Sequence, residues 1–194
     1  MLYLNQLDYA HIPYNHNVAK GGVPEERRCV ATSGCGLCSA CMIVDHLTTS
    51  HLSLEECVKL AEENGANRKM GCDMRVLGPI VAERFKLDYS TTNDREELKN
   101  HLKSGGQAIA IVGGDRDGYT GVLSHIGHYV VIVSINGEDV CILDPGYEDG
   151  KFDEDGRQGK VRVDKPFIYC SIDVIMKDTE SNNPGFYMFK RRKV

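Results

Sequence analysis

Two β-branched runs that meet at Asn136-Gly137 constrain this chain more than any other feature. His128–Ile135 is rich in Val and Ile, Val140–Leu143 is its counterpart, and both residues between them tolerate positive φ. That combination predicts an antiparallel hairpin. Gln107–Val112, Val161–Val163 and Phe186–Lys190 read as further short strands, and 167–176 as a helix or mixed segment.

Upstream the apolar spacing changes from two to between three and four. Leu37, Cys41, Val44 and Leu47 form one stripe of a helix over about 35–47, entered through Gly34 and Gly36. Ser53-Leu54-Glu55-Glu56 is a capping box and starts a second helix that Asn64-Gly65 stops. A third is predicted from about Met74 to Phe85. A fourth starts at Asn93, with Glu96 in the capping-box position, and ends at Gly105-Gly106. Residues 1–33 hold two prolines, Gly21-Gly22 and a charged run, and are expected to lie as a loop over the surface. Helices first and antiparallel strands later predict an α+β fold. The expected organisation is one domain over 1–194, helical over about 1–105 and built on a sheet over about 106–194.

The chain has 194 residues and a net charge of −5. This size accommodates a single core, and the charge excludes a general nucleic-acid or anionic-membrane footprint, leaving only the short basic tail at 190–193. No run reaches the ~18–20 apolar residues of a membrane helix, and Met-Leu-Tyr-Leu-Asn-Gln does not begin a signal peptide. Eight cysteines in a chain of this length do not make a disulfide scaffold. Reduced thiols and a cytoplasmic setting are expected.

Thr32-Ser33-Gly34-Cys35-Gly36 carries the most chemistry. A thiol at a helix N-terminus ionises more easily, because free N–H groups and the helix dipole stabilise the thiolate. The flanking glycines would let the backbone approach a substrate carbonyl, and the Cys35 N–H could help bind an oxyanion. Two other readings exist. Cys35 could be one more small core residue. Cys35, Cys38 and Cys41 could also ligate a metal, but a cluster run needs a fourth cysteine, and position 45 is Asp45. Sulfurs three residues apart on a helix also step by about 300° and cannot all face one ion. No metal and no cofactor are therefore expected.

A thiol nucleophile needs a base, and the base needs orientation. Counting along the hairpin places His128 and Asp144 as cross-strand neighbours, close enough for a carboxylate to hold an imidazole N–H. His125 is expected to be exposed or to line a cleft. His46, His51 and His101 are expected at the surface.

Gly34-Cys35-Gly36, Gly127-His128-Tyr129-Val130-Val131 and Leu143-Asp144-Pro145-Gly146, with Gly105–Ala110 and Ile12-Pro13-Tyr14 in support, resemble the bacterial papain-like cysteine peptidases related to bacteriocin-leader (double-glycine) processing domains. The likeness covers about residues 10–147. It implies a papain-like fold with Cys35 as nucleophile, His128 as base and Asp144 as its orienting residue. It further implies cleavage of a peptide bond, or acyl transfer through a thioester, on a peptide or small amide. The family has a glutamine upstream of the cysteine that donates to the oxyanion; six residues before Cys35 stands Cys29, so the donor is sought at Asn17 or Gln6. Leu37 stands where the family often has proline. An acyltransferase or amide hydrolase, and a non-catalytic binding domain lacking the oxyanion glutamine, are the alternative readings.

Overall fold

The computed structural model describes residues 1–16, 24–67 and 71–192. Its helices are α1 (Val30–Ser33), α2 (Cys35–Leu47), α3 (Leu54–Glu63), α4 (Met74–Arg84), α5 (Arg95–Lys103) and α6 (Ile172–Thr179). Its strands are β1 (Leu87–Thr92), β2 (Gln107–Val112), β3 (His128–Asn136), β4 (Asp139–Leu143), β5 (Val161–Asp164), β6 (Phe167–Ser171) and β7 (Phe186–Arg191). The strands form one antiparallel sheet in the order β1-β7-β2-β3-β4-β6-β5. Among the described residues no helix is long and apolar enough to cross a membrane.

The α+β expectation holds, with the sheet covered on both faces. Ile109, Tyr129, Val131 and Leu143 belong to the core under α2 and α4, with α3 packed on α2. Ala110, Val130, Ile132 and Ile142, alternating with them along the same strands, pack under α5 and α6. Burial from both sides explains why β3 reads as a nearly unbroken apolar run and not as an alternating one. The same logic explains α2, which is buried almost all the way round: Leu37, Met42 and Ile43 are fully enclosed. A helix apolar on every side must sit inside the fold, and each such side chain contributes roughly 1.5–3 kcal/mol of burial. α2 thus fixes where its own N-terminus, and Cys35, must lie.

Several sequence expectations are corrected. The division into a helical and a sheet part is blurred by β1, which lies within the first and pairs with β7, whereas the mixed segment expected over 167–176 is β6 followed by α6. β1 escaped notice because it is a half-exposed edge strand without a run of apolar residues. Residues 1–16 and 24–33 run over the surface as expected but are anchored in the core and not a mere loop: Tyr14 and Val30 are fully buried, and Pro13 bridges Cys29. The capping box at Ser53 and Glu56 is present in both directions. The fourth predicted helix, α5, is instead capped by Asp94, which accepts from the Glu97 N–H at 2.8 Å. Asn93 is occupied elsewhere, donating to Asn182 O at 3.0 Å and accepting from the Gly185 N–H at 2.6 Å. His46 and His101 are half-buried, not surface residues: His46 bridges Gln107 and the Leu2 carbonyl, and His101 donates toward the Gln107 and Phe189 carbonyls.

The 113–127 segment between β2 and β3 is irregular and delivers His128 to its place. Its anchor is Asp178 in α6, fully buried, which accepts from the Val122 N–H at 2.9 Å, the Leu123 N–H at 2.7 Å and the Tyr119 hydroxyl at 2.5 Å. Asp178→Ala leaves these donors without an acceptor, and buried unpaired donors cost about 1–3 kcal/mol each before relaxation. A loss of about 2–4 kcal/mol is expected, read as a lower urea midpoint for the variant than for the wild type.

Candidate active site

Cys35 is the first residue of α2, so its N–H belongs to the group that a helix leaves without an intrahelical partner. Gly34 and Gly36 are needed there for packing. A Cβ on Gly34 would stand 2.4 Å from Val30 Cγ1, and one on Gly36 would stand 2.9 Å from Cys72 Cβ and 3.2 Å from Tyr129 Cδ2. The flanking glycines therefore let α2 close onto Val30, Cys72 and Tyr129, a different use from the substrate approach that the sequence suggested. Cys38 and Cys41 are buried in the core, with the Cys41 thiol directed at the Ser53 carbonyl. All eight cysteines are free, and among the described residues no group of three His, Cys, Asp or Glu side chains is placed to hold a metal.

His128 opens β3. Its Nε2–H donates to Asp144 Oδ1 at 2.7 Å, which leaves Nδ1 free of the carboxylate, and the Cys35 thiol is a neighbour of the same ring. The route by which the hairpin achieves this differs from the count made on the sequence. The turn residues are Gly137 and Glu138, with Gly137 at φ 62°, and Asn136 belongs to β3. The register then shifts between Ile132 and Ser134, so that Val131 faces Leu143. Carrying this pairing one step further sets Asp144 against Val130, two residues from His128 and on the same face of the strand. The two side chains meet as diagonal neighbours. Without the shift, Asp144 would fall opposite Val131 and turn to the other face.

Asp144 is fully buried, and both its carboxylate and its carbonyl are hydrogen-bonded. Its Oδ1 accepts from His128 and from the Gly146 N–H at 2.7 Å, its Oδ2 accepts from Lys151 Nζ at 2.5 Å, and its carbonyl accepts from the Tyr3 hydroxyl at 2.8 Å. Burial alone would raise the carboxyl, but the charges and hydrogen bonds of His128 and Lys151 hold it down to about 2. Burial would lower His128, yet Asp144 and the Cys35 sulfur together raise it to about 9. Burial would raise Cys35 too; His128, together with the Tyr129 and Gly36 N–H groups aimed at the sulfur, brings it below the ordinary thiol range. The arrangement favours a thiolate beside an imidazolium. Without an imidazolium beside them, Cys38 and Cys72 are pushed up by burial, and Cys57 by its hydrogen bond with Cys41 together with burial.

Cys35 and His128 line a cleft of about 670 Å³ whose walls also include Gln6, Tyr129, Gly146, Lys151 and Tyr187, with Asp144 buried behind them. Gln6 reaches it from a short 3₁₀ turn, Gln6–Tyr9. Its N–H is bonded to the Pro145 carbonyl at 2.7 Å and its Nε2 donates to Ala31 O at 2.9 Å, which commits one amide proton and leaves a second. Asn17, the other sequence candidate for the oxyanion, lies outside the described residues. His125 is exposed and links two loops through Asp115 at 2.8 Å and Glu154 at 2.5 Å, while its neighbours Ser124 and Ile126 line the cleft. Lys151 was not singled out from the sequence. Its one signal was a lysine within the acidic, glycine-rich stretch 146–159.

No family model and no curated protein matches the chain. Among solved structures it is similar to a Bacillus anthracis protein whose assignment as a C39-like peptidase is itself provisional, with a TM-score of 0.55 at 15% identity, over 83% of this chain and 90% of that one. The chain thus shares the fold of a C39-like peptidase.

Gly146 is the tightest point in this packing: a Cβ there would stand 2.9 Å from His128 Cε1 and 3.2 Å from Nε2. Gly146→Ala must push the imidazole off Asp144. The expected result is a Cys35 alkylation rate at pH 7 lower by ~10-fold or more, equivalent to a unit of lost acidity, with the far-UV dichroism unchanged.

Proposed function

We propose that this chain is a papain-like cysteine hydrolase that cleaves peptide bonds through an acyl-thioester on Cys35. The observation that carries the reading is the buried Asp144 carboxylate hydrogen-bonded to His128, whose ring neighbours the Cys35 thiol, with Cys35 and His128 at the wall of an open cleft. The likeness to a C39-like peptidase points the same way.

In this reading the Cys35 sulfur attacks the scissile carbonyl, and its electron pair forms the C–S bond. The carbonyl oxygen takes the negative charge and receives the Cys35 N–H and the second amide proton of Gln6. The tetrahedral adduct collapses with cleavage of the C–N bond as His128 passes its proton to the departing amine. A water then gives a proton to the freed imidazole and its oxygen attacks the thioester. Collapse breaks the C–S bond and releases the acid, and the expelled thiolate is left beside the imidazolium that the water's proton has restored. Asp144 keeps the ring in one orientation throughout. The reading as a non-catalytic binding domain drew on the missing glutamine at position 29; Gln6 offers the amide from an earlier point in the chain.

A mixture of peptides read by mass spectrometry tests this. New termini are expected with the wild type and none with Cys35→Ala; products carrying the acyl group on an added amine instead of water would make the chain an acyltransferase, and no thiol-dependent product would leave a binding domain. Gln6→Ala separates binding of the oxyanion from activation of the thiol: turnover should fall by ~10²–10³ while the rate of Cys35 alkylation, which passes through no oxyanion, stays close to wild type.

A further inference from the structure

A buried carboxylate with a single imidazole partner would trap that imidazole as a cation, since losing its proton would leave an unpaired buried charge. In the mechanism above His128 must give its proton away and take another, so such a trap would oppose turnover. Asp144 is not in that position. Lys151 Nζ lies 2.5 Å from its Oδ2, on the oxygen that His128 does not use, and also donates to Gly146 O at 3.2 Å. The lysine is itself largely enclosed, at 13% side-chain exposure against 0% for Asp144. The carboxylate therefore keeps a counterion whether His128 is charged or neutral.

We infer that Lys151 is a positioning residue that acts on His128 through Asp144 and sets the upper pH at which Cys35 and His128 still carry opposite charges. The inference rests on the proposed Cys35–His128 reading. The other groups facing this cluster are few. Cys35 comes from α2 and Tyr129 follows His128 on β3. Tyr3, with Asp8 near it, comes from the N-terminal segment and binds the Asp144 carbonyl by its hydroxyl. Glu148 lines the cleft with Lys151, and Arg157 Nη1 donates to the Lys151 carbonyl at 3.2 Å. Among these described neighbours only Lys151 places a cation on the Asp144 carboxylate besides His128. Removing it leaves the full negative charge to the imidazole, which must then hold its proton to higher pH, by about 1 unit for a charge at this range.

The test is the rate of Cys35 carboxymethylation by iodoacetate against pH, in the full chain, read by mass spectrometry. This reagent is an anion and feels the imidazolium, so the profile is a bell whose descending limb reports loss of the His128 proton. Lys151→Met is expected to move the descending limb up by about 1 pH unit, and Lys151→Arg to leave it in place. Lys151→Gln keeps a donor toward Asp144 and removes only the charge; it is expected to behave as the methionine variant, and it carries the test if that variant does not fold. A descending limb that stays at the wild-type pH in both neutral variants, or that moves equally in the arginine variant, overturns the assignment. A wild-type profile without a descending limb, or one unchanged in His128→Ala, overturns the dyad itself, and with it this role for Lys151.

Discussion

The buried charge of Asp144 is the constraint around which the rest of the structure is arranged. A carboxylate without solvent is costly unless each of its oxygens finds a donor, and the chain supplies them from three places. β3 brings His128, the turn after β4 brings the Gly146 N–H, and the following loop brings Lys151. The N-terminal segment closes over the same corner, with Tyr3 on the Asp144 carbonyl and the Gln6 N–H on Pro145 O. One charge thereby ties together the strand that carries His128, the loop that covers it and the segment that carries the candidate oxyanion donor.

The second fixed point is α2. Its enclosure on all sides leaves no freedom in where its N-terminus emerges, and Gly36 lets that end come down onto Tyr129, the residue after His128. Cys35 and His128 are therefore brought together by two rigid elements packed against each other. A site held by the core in this way needs little from its loops beyond the carboxylate and its counterion.

Much of this was legible in the sequence, for identifiable reasons. α2, α3 and the β3–β4 pair announce themselves by apolar spacing and by a capping box, signals that are local and strong. Cys35, His128 and Asp144 could be singled out because each sits at an element boundary that the pattern reveals. The remainder depends on information that is not local. The register shift at Ile132/Ser134, which puts Asp144 on the face of His128, has no signature in a run of Val and Ile. The edge strand β1 pairs with a β7 that lies almost a hundred residues away in the chain. Asn93 offered a good cap but was claimed by Gly185 and Asn182, and Asp94 took its place. Gln6 and Lys151 reach the cleft only through folding, since neither spacing nor composition ties position 6 or 151 to position 35.

The account turns on whether Asp144, through His128, keeps the Cys35 sulfur ionised. The most direct measurement is the absorbance of thiolate near 240 nm, followed against pH in the wild type and in Cys35→Ser. The account predicts one thiolate that titrates below the ~8.5 of an ordinary thiol and disappears in the serine variant. A wild-type curve that matches the serine variant throughout the acid and neutral range, with thiolate forming only at ordinary thiol pH or above, would contradict it.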